Sequence, residues 1–193
     1  AFGASQGYLR TSGGYAESDD YVDGDGNEVF SRYDRWNARL ALGWTPGADS
    51  LLEASAERSD GRMANATIHM DSTKLDRQAY GLRFEKSNLG LGWLERVELR
   101  GNRIEVDHEM DDFTLRPVKT PAESNPVQTL VMGQGWLEYS GRGAFTLAPT
   151  AEIDLEFGMD FRSSDYDARA ASGIELFLFT PPDQYTSIYK QEA

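Results

Sequence analysis

Apolar residues recur at every second position in several stretches of this chain, and helical spacing is rare. The clearest stretch covers residues 36–44, in which the apolar positions are Trp36, Ala38, Leu40, Leu42 and Trp44. Successive side chains of a strand point to opposite faces, so this pattern predicts one apolar and one polar face. Eight steps of ~3.3 Å separate the two tryptophans by roughly 26 Å. That distance is close to the ~25 Å apolar band of an outer-membrane barrel, which aromatic girdles border.

The same alternation occurs in residues 52–56, 80–84 and 153–161. A half-buried strand of a soluble protein also alternates in this way. In these stretches, however, the opposite face is rich in Arg and Glu, with Gly and Ala between them. A charged face of this kind is typical of the inside of a membrane barrel.

Short and long connections alternate along the chain. Short turns are predicted at 45–49, 87–92 and 148–151, and long polar loops near 17–28, 60–76, 112–127 and 163–187. Outer-membrane barrels have short turns on one side and long loops on the other, whereas the Greek-key connections of a β-sandwich do not keep that order. The pattern therefore favours a membrane barrel over a soluble β-sandwich.

We therefore predict an all-β fold, an antiparallel up-and-down transmembrane β-barrel portion of seven or eight strands. The predicted strands are roughly 4–16, 28–45, 50–59, 77–86, 93–112, 128–147 and 151–163, with an eighth beginning near 185. If Val97 and Leu99 face lipid, then Arg103 and Glu105 also point outward. An outward Arg costs ~2–4 kcal/mol at the bilayer midplane but ~0–1 near the interface. We therefore expect the second half of this strand to project beyond the membrane.

Composition excludes several classes of function. The 193 residues include 32 acidic and 19 basic side chains, a formal net charge of −13. This balance argues against nucleic acid as a partner, because phosphates need a basic surface. The chain has no cysteine, so it has no disulfide, thiolate metal site or cysteine nucleophile. No apolar run approaches the ~18 residues of a membrane helix.

The two histidines of the chain each stand close to a methionine, as His69-Met70 and as His108-Glu109-Met110. Residues two apart in a strand share a face, and parity places His108 and Met110 on the polar face, which would line the lumen. An imidazole and a thioether together suit copper, especially Cu(I), and suit Ca²⁺ or Mg²⁺ poorly. Met70, with His69 beside it, is a further candidate because its loop is predicted at the same end. An ordinary pair without metal remains the alternative.

Other motifs carry less chemistry. Residues 23–28 read Asp-Gly-Asp-Gly-Asn-Glu, but an EF-hand loop needs Gly at its sixth position and Glu at its twelfth, which here are Glu28 and Asp34. A tight hairpin turn is favoured instead. No nucleophile-elbow motif accompanies either histidine, so no enzyme is predicted. We interpret the excess carboxylates as a solvated surface of loops and lumen that concentrates cations.

Several segments resemble the TonB-dependent copper receptors of Gram-negative outer membranes. These segments are 7–15 with the Asp-Gly turn that follows, 40–46, 70–74, 80–86 and 106–116. The last one is similar to the His-x-Met segment of that family. The resemblance covers roughly residues 7–165.

The resemblance implies a plugged barrel of about 22 strands, in the outer membrane and in contact with its lipid. It implies that sulfur ligands of the plug meet His108 and Met110 around a copper ion, and that the plug binds the TonB complex. Residues 1–193 are then expected to form part of the barrel domain, without the plug or the remaining strands.

The predicted function is therefore copper uptake by an outer-membrane receptor. One alternative is a receptor of the same kind for a siderophore or another metal chelate. The other is a secreted β-sandwich that binds carbohydrate or calcium.

Overall fold

A computed structural model describes residues 2–4, 6–68, 70–117, 130–150, 152–172 and 187–192. Within these ranges the chain forms eleven strands. They are β1 (Phe2–Ala4), β2 (Gly7–Ser18), β3 (Tyr21–Val22), β4 (Glu28–Val29), β5 (Tyr33–Trp44), β6 (Ser50–Met63), β7 (Asp71–Ser87), β8 (Leu94–Asp111), β9 (Leu130–Thr150), β10 (Ile153–Ser172) and β11 (Ser187–Glu192). None of the described residues belongs to a helix long and apolar enough to cross a membrane.

Nine of the strands form one antiparallel sheet, in the order β1-β2-β5-β6-β7-β8-β9-β10-β11. Seven long strands make up its middle, and the short strands β1 and β11 pair with its two ends. Strands β3 and β4 form a separate hairpin between β2 and β5. The predicted all-β, antiparallel, up-and-down fold is confirmed. The β-sandwich alternative is wrong, because the described residues form a single large sheet with no second layer packed on it.

The two faces of the sheet differ sharply in chemistry. We call the face that carries Leu42 and Trp44 the outer face, and the opposite one the inner face. One register row on the outer face is Trp44, Leu52, Phe84, Leu99, Gly143 and Met159. The row beside it on the inner face is Gly43, Glu53, Arg83, Arg100, Arg142 and Asp160. One face is thus apolar and the other is charged, as the alternation predicts.

The apolar residues of the outer face are exposed. Leu42 is 54% exposed, Leu99 52% and Met159 76%. The buried apolar residues of the described part are few and mostly small: Ala41, Ala64, Leu115, Val131 and Ala144. Contiguous exposed apolar surface of this kind marks a contact with membrane or protein. The free energy of the fold therefore depends on what covers the outer face.

The strands extend further than the sequence predicts at one end of the sheet. We call this the upper end; the turns at 45–49 and 88–93 lie at the lower end. The predicted loop at 60–76 is wrong in length, since β6 runs to Met63 and β7 begins at Asp71. The predicted loop at 163–187 is wrong up to Ser172, the end of β10. The strand predicted from 28 begins at Tyr33. Both faces are polar in these upper segments, so period-two hydropathy carries no signal there.

The Asp-Gly segment forms the tight turn that the sequence predicts. It joins β3 and β4, and the Asp23 carboxylate accepts hydrogen bonds from the N–H groups of Asp25 and Asn27, both at 2.9 Å. These bonds lower the pKa of Asp23, chiefly through Asn27. Gly26 has φ +84°, a conformation that favours glycine. The carboxylate therefore stabilises the turn itself.

We expect the substitution Gly43→Ala to destabilise the lower half of the sheet. The Tyr8 ring lies on the inner face where a Cβ of Gly43 would stand. The Tyr8 hydroxyl donates a hydrogen bond to Glu53, and the Arg10 guanidinium lies 4.3 Å from the ring centroid. A methyl group would displace this ring at a cost of about 1–3 kcal/mol.

The measurement is the unfolding midpoint of the full-length protein in detergent. In the Tyr8→Ala background the same glycine substitution is expected to cost much less, because the clash is absent. Equal losses in both backgrounds would show that the ring does not restrict Gly43.

Candidate functional site

His108 and Met110 lie near the upper end of β8 and face the inner side of the sheet. His108 is in register with Leu75 on β7 and Gln134 on β9. Met110 is in register with Ser72 and Met132. Strand β8 has no irregularity between these two positions, so parity keeps both side chains on one face. The fold therefore brings an imidazole and a thioether to the same patch of the inner face.

The imidazole of His108 is partly buried and has a hydroxyl beside it. Its Nε2 atom lies 3.0 Å from the Ser72 Oγ atom. Burial lowers the pKa of His108, and the charge of Asp107 offsets this only in part. The neutral form of the ring is therefore favoured at pH 7. A neutral imidazole has a free lone pair, which a metal ligand needs.

Met132 belongs to the same patch, although the sequence did not single it out. It faces Met110 across the β8–β9 ladder, where opposed side chains have Cβ atoms ~4.5–5.5 Å apart. Met63 on β6 lies two strands from Met110 in the same row, with Ser72 between them. The row thus presents three thioethers. Only the register between neighbouring strands brings them together, and hydropathy does not give that register.

The other two candidates differ in what the structure shows. Met70 immediately precedes β7, and the next residue, Asp71, is in register with Asp111. Met70 therefore lies at the same end of the sheet as Met110, as the sequence predicts for its loop. His69 lies outside the described residues.

Ligands for hard metal ions are not gathered in the described ranges. No group of three or more His, Cys, Asp and Glu side chains there is arranged to hold a metal ion. What the inner face offers at its upper end is one imidazole with neighbouring thioethers. Such donors select soft ions such as Cu(I) over Ca²⁺ or Mg²⁺.

A buried ion pair fixes the strand ends above this patch. Asp71 is fully buried, and its carboxylate accepts two hydrogen bonds from the Arg116 guanidinium, one of them 2.7 Å from Nε. The Asn65 N–H donates to the same carboxylate at 2.8 Å, and Arg116 donates to the Asn65 carbonyl at 3.0 Å. Arg32 donates to the carbonyl of Leu115. We call these five residues the upper clasp; it joins three loops next to Ser72 and Met110.

Below the patch, the inner face carries ion pairs along and between neighbouring strands. These pairs are Arg10–Glu53, Arg77–Glu57, Arg83–Glu85, Arg100–Glu98, Arg142–Asp160 and Arg162–Glu138. Most of these side chains are partly exposed, and exposed ion pairs contribute at most ~1 kcal/mol each. The inner face is thus a wetted, charged wall with weakly held ion pairs.

Neither a protein-family model nor a curated protein sequence matches the chain. A search of solved structures finds similarity to a protein described as "Copper transporter OprC", with a TM-score of 0.77 and 35% sequence identity. The match covers 96% of this chain and 28% of that protein. The chain thus spans about a quarter of the transporter's length, and the predicted resemblance to the copper receptors is confirmed.

Proposed function

We propose that this chain is part of the barrel wall of an outer-membrane copper receptor, and that His108 and Met110 bind the copper ion. The observation that carries the proposal is that both side chains face the inner side of a sheet that resembles part of a copper transporter. The outer face is apolar and exposed, as a lipid-facing wall requires. Residues 1–193 then form a partial barrel domain, and the plug and the remaining strands lie elsewhere in the full-length protein.

In the proposed copper uptake no covalent bond of a substrate is formed or broken, so the proposed function is not that of an enzyme. His108 supplies a nitrogen lone pair and Met110 a thioether sulfur, a soft donor set that favours Cu(I). Met132 and Met63 share the row of Met110 and are additional donors. Met70 and His69 are further candidates from the sequence. A plug would complete the coordination and close the site from the lumen. Release inward would follow when the TonB complex pulls on that plug.

Copper binding by the full-length protein tests the proposal. We expect the double variant His108→Ala/Met110→Ala to lose about one tightly held copper ion per chain, because two of its donors are removed. The measurement is metal content by mass spectrometry of the detergent-solubilised protein after copper loading and dialysis.

The matched control is Met159→Ala, which removes a thioether from the outer face, where Met159 is 76% exposed. This control is expected to keep its copper. Equal copper in all three proteins, or none in any of them, would contradict the proposed site and favour a receptor for a metal chelate.

TonB dependence needs a separate measurement in cells. We expect copper uptake through the full-length protein to stop when TonB is deleted, while copper binding to the purified protein is unchanged. Uptake that persists without TonB would contradict the energised mechanism but leave the binding site intact.

A further inference from the structure

Basic and aromatic side chains meet at the upper border of the apolar band on the outer face. The row that holds Leu42 on β5 continues through Leu82 on β7 and Gly101 on β8. The next row up holds Tyr80, Arg103 and Tyr139, and the row above that holds Arg58 and Gln78. The outer face thus changes from apolar to charged and hydrogen-bonding within two rows, and Glu105 shares the row of Arg58 and Gln78.

We propose that Arg58 and Arg103, with Gln78 and Tyr139 beside them, bind the phosphate groups of anionic lipid headgroups in the outer leaflet. We call these four residues the headgroup patch. The proposal rests on the outer-membrane location proposed above, because only then does lipid border this face. It assigns to the outer face a ligand site that is separate from copper.

The two guanidinium groups are accessible to solvent. The Arg58 side chain is 58% exposed and pairs at 3.0 Å with Asp76, which is itself 16% exposed. The Arg103 side chain is 33% exposed and pairs with Glu105 at 2.7 Å. A guanidinium has several N–H donors, so each of these groups can bind a phosphate oxygen through donors that its carboxylate partner does not use.

The neighbouring residues complete a phosphate site at the depth of the headgroups. The Arg103 Nε atom lies 3.4 Å from the Tyr139 hydroxyl, and Tyr139 is 44% exposed. The Tyr80 hydroxyl donates to the Gln78 side-chain oxygen at 3.5 Å, which leaves the amide N–H₂ group for an acceptor. Tyrosine is enriched where lipid tails meet headgroups, and basic side chains extend from that level into the headgroup layer. The patch therefore matches an anionic headgroup above an apolar chain.

The inner face supplies a matched control. Arg83 and Arg100 lie on β7 and β8, are 40% and 45% exposed, and are also held by carboxylates. Replacing them by Gln changes the net charge as much as replacing Arg58 and Arg103. The two double variants differ in the face of the sheet that loses the charge.

The experiment titrates lipid A into the full-length protein in detergent and counts bound lipid by native mass spectrometry. We expect Arg58→Gln/Arg103→Gln to weaken lipid A binding about thirtyfold, since each basic residue near an anionic lipid surface contributes about fivefold. Arg83→Gln/Arg100→Gln and binding of zwitterionic phosphatidylcholine are expected to stay unchanged. The variant Arg58→Lys/Arg103→Lys, which keeps both charges, is expected to retain most of the affinity.

The inference would be overturned if the wild type and Arg58→Gln/Arg103→Gln bound lipid A equally. It would also be overturned if the two Gln double variants lost the same amount of lipid A affinity. Far-UV circular dichroism is used to check that each variant is folded. If the variant Arg58→Gln/Arg103→Gln does not fold, the variant Arg58→Lys/Arg103→Lys still tests whether lipid A binding depends on these two positions. Copper content of the same samples separates the two proposals. If the variants bind copper at the wild-type level and their lipid A binding is unchanged, only the headgroup patch is overturned. If no sample binds copper, the proposed copper receptor is contradicted.

Discussion

The substitution Arg116→Leu is expected to open the upper clasp and to lower the local stability of these loops by about 3–5 kcal/mol. Asp71 is 0% exposed, and Arg116 is the cation that neutralises its carboxylate. The hydrogen bonds to Asp71 raise the pKa of Arg116, so its guanidinium keeps its charge throughout the physiological range. Without the guanidinium the carboxylate is left buried, and the Asn65 N–H is the hydrogen-bond donor that remains to it among the described residues. The readout is amide hydrogen exchange at 64–71 and 112–117 in the full-length protein.

The matched control for this change is Arg62→Leu. Arg62 pairs with Asp34 at 2.9 Å, but the two side chains are 55% and 40% exposed. Loss of such a pair costs at most ~1 kcal/mol. The double variant Asp71→Asn/Arg116→Leu is expected to recover part of the loss, since it leaves no buried charge. Equal exchange rates in the Arg116 and Arg62 variants would contradict the role of the clasp.

The substitution Leu82→Arg is expected to destabilise the assembled protein in lipid by about 2–4 kcal/mol. Leu82 lies between Phe84 and Tyr80 on the apolar outer face of β7 and is 56% exposed. With the outer face against lipid, as proposed above, a guanidinium there lies in the hydrocarbon layer beside Leu42, Ala54 and Gly101, which share its register row. The measurement is the denaturant midpoint of the full-length protein folded into phospholipid vesicles.

Gln78→Arg provides the comparison on the same strand and the same face. Gln78 lies two rows above Leu82, in the row of Arg58 and Glu105, where charged side chains already face outward. The expected cost there is about 0–1 kcal/mol. Equal costs at the two positions would show that the outer face does not border a hydrocarbon layer. Comparing the two losses in stability thus shows how the cost of an outward arginine changes with depth along β7.

The middle of each long strand is predictable from sequence, and its upper end is not. Residues 36–44 and 80–84 alternate cleanly because the outer face of the sheet is apolar there and the inner face is polar. In the upper part of β7, Lys74 and Asp76 pair with Asp107 and Arg58 on the outer face. On the inner face Arg77 pairs with Glu57, so both faces carry charged side chains and the strand is held by ion pairs and backbone hydrogen bonds. Hydropathy contrast disappears there, and the predicted loops are consequently too long.

The candidate site shows a similar division between local and long-range information. His108 and Met110 are two residues apart, so parity alone indicates that they share the inner face. Met132 joins them only through the β8–β9 register, and sequence patterns do not determine that pairing. Asp71 and Arg116 are 45 residues apart, and each occurs as an ordinary charged residue in a polar segment. Their partnership depends on how the loops fold back over the strand ends.

The arrangement of the sheet also determines how its strands come together during folding. From β5 to β10, every strand pairs with the strand that follows it in the chain, and between β2 and β5 the small β3–β4 hairpin intervenes. Loop closure is therefore inexpensive in entropy at each step, because the partners are successive in the chain and the cost of closing a loop grows only slowly with its length. Folding can proceed by adding one hairpin at a time to an existing edge. Slow steps are then expected to arise from insertion of the sheet into lipid rather than from a search for distant partners.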